Sequence, residues 1–273
     1  MGKTKKMSNI LTFQKLGYFG SIGNQLFQCA ALLSYAKDNG LTPKIPNHNG
    51  YFEHSYGRFV DYLPNGIDLG IEFLSDKDVV DGEIQELSFD YTKLQITPNK
   101  SLSGYFQSEK HFKHNSDLIK SKFLNFKPKI QESINSIATQ LPLNTELTAI
   151  HVRRGDYVYK QGFHALLDMS YYESAKEVIG GGQTYVVFSD DVEWCKSNFD
   201  DSHYVVESDD PFVDLGLMSY CDNFIIANSS FSWWGAWLNQ NSNAKIVAPK
   251  KWFGPINSDI PTHDLIPEIW KRI

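Results

Sequence analysis

The sequence predicts an α/β protein built as two halves, and three observations carry that expectation. Segments rich in β-branched and aromatic residues recur between stretches of helical periodicity, as strands do when helices cover their sheet. A length of 273 residues is enough for two Rossmann-sized halves with packed cores. Between a helical stretch and a strongly apolar strand lies "LPLNTEL" (141–147), whose composition is that of a linker. The halves are therefore expected at 1–145 and 146–273.

In chain order, the first strand is "NILTFQKLG", and the helix "NQLFQCAALLSYAKDNG" follows it with Gly40 as its stop. The strands "EIQELSFD" and "KSLSGYFQ" come next, then helices over 108–124 and 128–140. In the second half the short apolar runs "LTAIHVRR", "TYVVFSDD", "HYVVES", "NFIIAN" and "KIVAPK" read as strands. Helices are expected between them at "SYYESAKEVIGGG" with Ser170 as its cap, "DVEWCKSNF", "DDPFVDLGLMSYC" and "SSFSWWGAWLNQN".

Bulk composition excludes several classes. A hydrophobic content of 41%, with 14% aromatic and 21% charged residues, is that of a globular chain and not a disordered one. A net charge of -6 supplies no basic face for general nucleic-acid binding. Cys29, Cys195 and Cys221 are odd in number and widely spaced, with neither a CxxC pair nor zinc-ligand spacing, which fits a reduced protein without a structural metal. The start "MGKTKKMSNILTF" is basic, but no apolar leader core follows, and no apolar run reaches the length of a membrane span. The expectation is a cytoplasmic protein whose membrane contact, if any, is peripheral, at the inner face. No feature specifies an oligomer.

Four stretches have the residue types of a binding site. In "AIHVRRGDYV", Arg153 and Arg154 stand where a parallel strand runs out into its loop, the side of open α/β sheets on which ligands bind. Guanidinium forks can grip phosphate oxygens at two points, while the plain alternative is a surface pair salt-bridged to Asp156. In "YFGSIGNQLFQ" a glycine-bearing turn leads into a helix start at Gly23 and Asn24, suited to an anion or simply a tight connection. "NFIIANSSFSWWGAWL" ends a strand in Asn228, Ser229 and Ser230, whose hydroxyls suit phosphate binding, helix capping or both. Trp233, Trp234 and Trp237 in it read as core before sugar platform. "VVFSDDVEW" carries Asp190 and Asp191; capping and loop ordering are favoured over a metal, because the arginines can supply the same positive charge.

Taken together, "GSIGNQLFQ", "GYFQSEKHF", "HVRRGDYV", "SYYESA", "FSDD" and "NSSFSWWGAWL" resemble the motif series of the α-1,2-fucosyltransferases, glycosyltransferase family 11, in the family's order. HxRRxD is shared with α-1,6- and protein O-fucosyltransferases, and NSSFSWW is more particular to this family. One departure is the first turn, usually GGxGNQ and here Phe19-Gly20-Ser21-Ile22-Gly23.

The resemblance implies a GT-B architecture, two facing Rossmann-like domains, with the acceptor mostly on the first and GDP-L-fucose mostly on the second. Arg153 and Arg154 would grip the departing diphosphate, Ser229 and Ser230 would hold phosphate oxygens, and His151 and Asp214 would approach the guanine. Asp190, Asn228, Gly23 and Asn24 complete the expected donor contacts. Tyr105, Phe106, Gln107 and His164 are the expected contacts of a galactose-containing oligosaccharide or glycolipid-linked acceptor, whose specificity would lie in loops such as 47–66 and 101–115. The acceptor's base would be Asp156, His164 or Glu109, and neither a metal nor another cofactor is expected.

Overall fold

Six consecutive residues, Leu147–Val152, are buried on both faces, as a strand must be when helices cover both sides of a parallel sheet. This strand is the centre of a six-stranded parallel sheet in the order His203–Val205, Thr184–Ser189, Leu147–Val152, Asn223–Ile225, Ile246–Ala248, Lys271–Arg272. Helices Met169–Ile179, Val192–Asn198, Pro211–Met218 and Ser230–Trp237 connect the strands. Ile150, Val187, Ile225, Tyr172 and Ile179 pack into one core on the sheet, where each wholly buried side chain contributes about 1.5–3 kcal/mol. Trp233 and Trp234 are also wholly buried, and the Trp233 indole N–H reaches the Leu265 carbonyl, so these rings are core as expected.

The structure, a computed structural model, describes residues 9–48, 52–53, 59–142 and 144–273. The basic start, the middle of the expected acceptor loop 47–66 and Leu143 of the expected linker lie outside the described residues. Among those described, no helix is long and apolar enough to cross a membrane.

The chain forms two compact units, Met1–Asn125 and Phe126–Ile273. The first holds a five-stranded parallel sheet in the order Glu72–Phe73, Thr42–Ile45, Ile10–Thr12, Lys100–Ser103, Glu83–Gln85. Its helix Ile22–Asp38 is buried almost all round. Two buried glutamines on that helix hold loops by both ends of their amides: Gln25 bonds the Asp61 carbonyl and the Leu63 N–H, and Gln28 the Gly104 carbonyl and the Gly17 N–H. The units divide earlier than the 145/146 boundary read from the sequence. Helix Pro128–Ala138 lies against Pro211–Met218, with Ile134 packed on Gly216, so it joins the second unit. Two further local expectations are corrected. Asp168, not Ser170, caps Met169–Ile179, its side chain accepting the Ser170 N–H. The stretch 108–124 is two 3-10 turns, Glu109–His111 and Lys113–Asn115, before a helix at Ser116–Phe123.

Candidate functional site

The register of the second sheet decides what meets at its carboxyl edge. Val152 pairs with Ser189 and Ile150 with Ile225. Three neighbouring strands therefore run out side by side into Arg153-Arg154, Asp190-Asp191 and Asn228-Ser229, on the edge where open parallel sheets bind ligands.

Arg153 is held from two directions. Its Nη2 donates to Asp156 Oδ1 at 2.7 Å, and its Nη1 pairs with Asp190 Oδ2 at 2.9 Å. Its guanidinium carbon is 5.2 Å from the centre of the Tyr157 ring. Arg154 gives its backbone N–H to Asp190 Oδ1 at 2.9 Å and its Nε to Asp191 Oδ2 at 3.1 Å, and its guanidinium lies 4.2 Å over the Trp194 ring. Charge-assisted bonds of this kind are about twice as strong as neutral ones, and a ring face adds a cation–π attraction. Both guanidiniums are thus fixed before any ligand arrives, with N–H groups to spare.

The acidic residues explain that order. Asp190 serves the side chain of one arginine and the backbone of the next. Gly155 makes the approach possible, since a Cβ there would stand 2.2 Å from Asp190 Oδ2. Asp191 accepts the Trp194 N–H at 3.2 Å as the cap of Val192–Asn198. This is the capping and loop-ordering use of the pair. Asp156 also binds Lys160 Nζ at 3.2 Å, so its two oxygens are shared between Arg153, which it orients, and a lysine.

Two contributors escaped the sequence reading. Tyr157 donates its hydroxyl to the Asn228 carbonyl at 3.1 Å and stacks on His164, with ring centres 4.1 Å apart and planes at 5°. Trp194, under Arg154, is signalled only by its place three residues after Asp191, where the cap's N–H must be. His164, one of the expected acceptor contacts, lies in the second unit, as its number in the sequence places it, and stacks on Tyr157.

Several buried polar atoms lack partners among the described residues. The Asn228 amide donates to the Ala165 and Trp252 carbonyls, which fixes its orientation and leaves Oδ1 buried and unbonded. His151 Nδ1 and Asp214 Oδ1 are likewise buried and unbonded. Burial, with Arg153 adding to it, pushes the His151 pKa down to about 3, so the imidazole is neutral. Burial pushes the Asp214 carboxyl up to about 7. Each such orphan costs of the order of 1–3 kcal/mol unless a ligand bonds it. Ser229 caps Ser230–Trp237 by accepting the Phe231 N–H at 3.3 Å, and Ser230 opens that helix, so the capping use is realised.

In the first unit, Gln107 donates to Asn24 Oδ1 at 2.8 Å, and Asn24 donates to the Phe19 carbonyl at 2.8 Å. The glycine turn and the 105–107 loop are tied together in this way, with Gly23 buried in the helix's first turn. Phe106 is wholly buried, edge-on to Phe13 at 5.8 Å, and is core rather than a sugar-facing ring. Tyr105 is half-buried between Phe89 and Phe19. Glu109 is paired with Lys113 at 3.5 Å.

The model of glycosyl transferase family 11 matches residues 3–254. The O-antigen biosynthesis glycosyltransferase WbnK of Escherichia coli is 37% identical over 190 residues, 63% of this chain and 61% of that one. An alpha-1,2-colitosyltransferase of Escherichia coli is 34% identical over 185 residues, 62% and 61% of the two chains. Human galactoside alpha-(1,2)-fucosyltransferase 1 is 27% identical over 241 residues, 80% and 63%. The matches thus span less than two thirds of these relatives' lengths. Among solved structures, fucosyltransferase NodZ from Bradyrhizobium superposes with a TM-score of 0.56 at 12% identity, covering 86% of this chain and 94% of that one. POFUT1 in complex with GDP-fucose gives 0.52 at 14% identity, covering 90% and 99%. At these identities the likeness is one of fold, and the fold is α/β of GT-B type.

Proposed function

The chain belongs to glycosyl transferase family 11, and from that premise we propose that it is an inverting α-1,2-fucosyltransferase, moving L-fucose from GDP-β-L-fucose to the 2-hydroxyl of a terminal β-galactosyl residue. The observation that carries the reading is the prefixed pair Arg153 and Arg154 at the sheet edge, each anchored on an aspartate. Similarity to a galactoside alpha-(1,2)-fucosyltransferase, and to folds solved with GDP-fucose, supports the donor and the linkage.

In this mechanism the acceptor hydroxyl attacks the face opposite GDP, which turns a β-linked donor into an α-fucoside. Positive charge develops on the sugar ring and negative charge on the leaving diphosphate. The remaining N–H groups of Arg153 and Arg154, with the hydroxyls of Ser229 and Ser230, meet that negative charge without having to reorganise. Asp214 and the neutral His151 bind the guanine through their unbonded buried atoms. Guanine N–H donors favour the carboxylate form of Asp214 and draw its pKa below about 7 on binding. Asp156, His164 and Glu109 are the candidates for the acceptor's proton, Asp156 standing beside Arg153 and Lys160 and Glu109 beside Lys113. The enzyme works in the cytoplasm on galactose-containing oligosaccharides or glycolipid-linked glycans.

The test is incubation with GDP-L-fucose and lactose, and with GDP-L-colitose because one relative is a colitosyltransferase, followed by linkage analysis of the product by NMR. An α-1,2-fucosyl galactoside is expected. Transfer only as an α-1,6 linkage to an N-acetylglucosamine acceptor overturns the linkage, and GDP binding without turnover across an acceptor screen leaves a sugar-binding protein of the same fold.

Activity is expected to persist in EDTA, because the arginines supply the charge a metal would, and Asp190 and Asp191 are already bonded to them. Loss on chelation, restored by magnesium or manganese, reassigns those carboxylates. Gln107→Ala is expected to raise the acceptor KM by about tenfold, the effect of removing one polar anchor, with GDP affinity intact. A selective loss of GDP affinity moves Gln107 to the donor side.

A further inference from the structure

Glu86 lies just past the edge strand Glu83–Gln85, and its side chain, 9% exposed, turns back under the loop that follows Lys100–Ser103. Its Oε2 accepts the Tyr105 N–H at 2.7 Å, and its two oxygens accept the Phe106 N–H at 3.0 and 2.9 Å. Two successive amides closing on one carboxylate form an anion nest. The backbone pays for that shape: Phe106 has φ 55°, in the left-handed region that bulky side chains avoid, and Gly104 has φ 149°. A side chain at 104 has no room either, since its Cβ would stand 2.5 Å from Glu86 Cβ and 2.7 Å from Oε2.

The surroundings hold both sides of this contact. His111 places Nε2 3.7 Å from Glu86 Oε1 while its Nδ1 bonds the Tyr35 hydroxyl at 2.7 Å, and Gln28 holds the Gly104 carbonyl at 3.2 Å. The loop so fixed offers the half-buried Tyr105 ring and carries Gln107, whose amide reaches Asn24. A left-handed phenylalanine next to a residue that must meet a sugar is strain kept at a working position, and the carboxylate is the group that holds it there.

We propose that Glu86 is the positioning residue of the acceptor loop: its carboxylate sets the backbone of Tyr105 and Phe106 so that Tyr105 and Gln107 are presented to the acceptor sugar. The proposal rests on the reading of 105–107 as the acceptor side. Glu86→Gln keeps the size of the side chain but turns one acceptor into an N–H donor that faces another N–H. Amide hydrogen exchange at Tyr105 and Phe106 is expected to quicken about tenfold or more, and the KM for lactose with GDP-L-fucose to rise about tenfold, while kcat and the Kd for GDP change less than about twofold. If Glu86→Gln melts too low for kinetics, Glu86→Asp, which keeps both acceptors on a shorter arm, is read in the same way with smaller shifts. Unchanged exchange at both amides overturns the clamp. Faster exchange with an unchanged lactose KM, when Gln107→Ala does raise it, overturns the positioning role and leaves a structural one. Faster exchange with neither variant moving the KM removes the acceptor reading itself, and with it the role built upon it.

Discussion

Arg153→Lys is expected to lower kcat by about 10²-fold or more while the KM for GDP-L-fucose changes far less, the scale seen when one preorganised donor is taken from a developing negative charge. The structure says why lysine cannot substitute. The guanidinium spends one terminal nitrogen on Asp156 and the other on Asp190, and still has N–H bonds to direct at a third partner. An ammonium is a point charge on a flexible stem; drawn to either aspartate, it gives up its contact with the other and leaves the diphosphate uncovered. A loss in kcat rather than KM follows if the contact tightens as the bond to fucose breaks. Were the pair a mere surface salt bridge, the variant would lose at most about 1 kcal/mol of stability and almost no activity. Steady-state kinetics of a variant shown by thermal melting to be folded separate the two. Near-normal kcat would move the leaving-group role to Arg154 or a metal.

How far the sequence could lead depends on the range of each signal. The strand at 147–152 was legible because four of its six buried residues, Leu147, Ala149, Ile150 and Val152, are apolar and no turn residue interrupts them. Strand Thr42–Ile45 was not, because Pro43 interrupts its pattern, and Glu72–Phe73 and Lys271–Arg272 are too short to show a period. The unit boundary was misplaced because the affiliation of helix Pro128–Ala138 is decided by its contact with Pro211–Met218, far away in sequence. At the site, the arginines were visible from residue type and position alone. What Asp190 does for them was not, because it depends on the register that sets Val152 beside Ser189. Glu86 was hidden for the same reason: its partners are backbone amides nearly twenty residues on, and an amide carries no mark in a sequence.

That register makes Asp190 the second position of large effect. Asp190→Ala removes the partner of Arg153 Nη1 and the acceptor of the Arg154 N–H together, so kcat is expected to fall by about 10²-fold or more with both arginines still present. Asp190→Asn should fall between this variant and the wild type, since a carbamoyl oxygen can keep the Arg154 N–H while its N–H₂ group faces the Arg153 guanidinium. Asp191→Ala, which loses a helix cap and one contact to Arg154, should cost about 1 kcal/mol of stability and a smaller fraction of the rate. The decisive measurement is the double variant Asp190→Ala with Arg153→Lys. If Asp190 acts by aiming Arg153, the two losses overlap, and the double variant is little worse than the worse single one. If Asp190 held a metal or touched the sugar independently, the losses would multiply to about 10⁴-fold. A multiplicative result, or an Asp190→Ala enzyme with near-normal kcat, would break the link between the strand register and the leaving-group clamp.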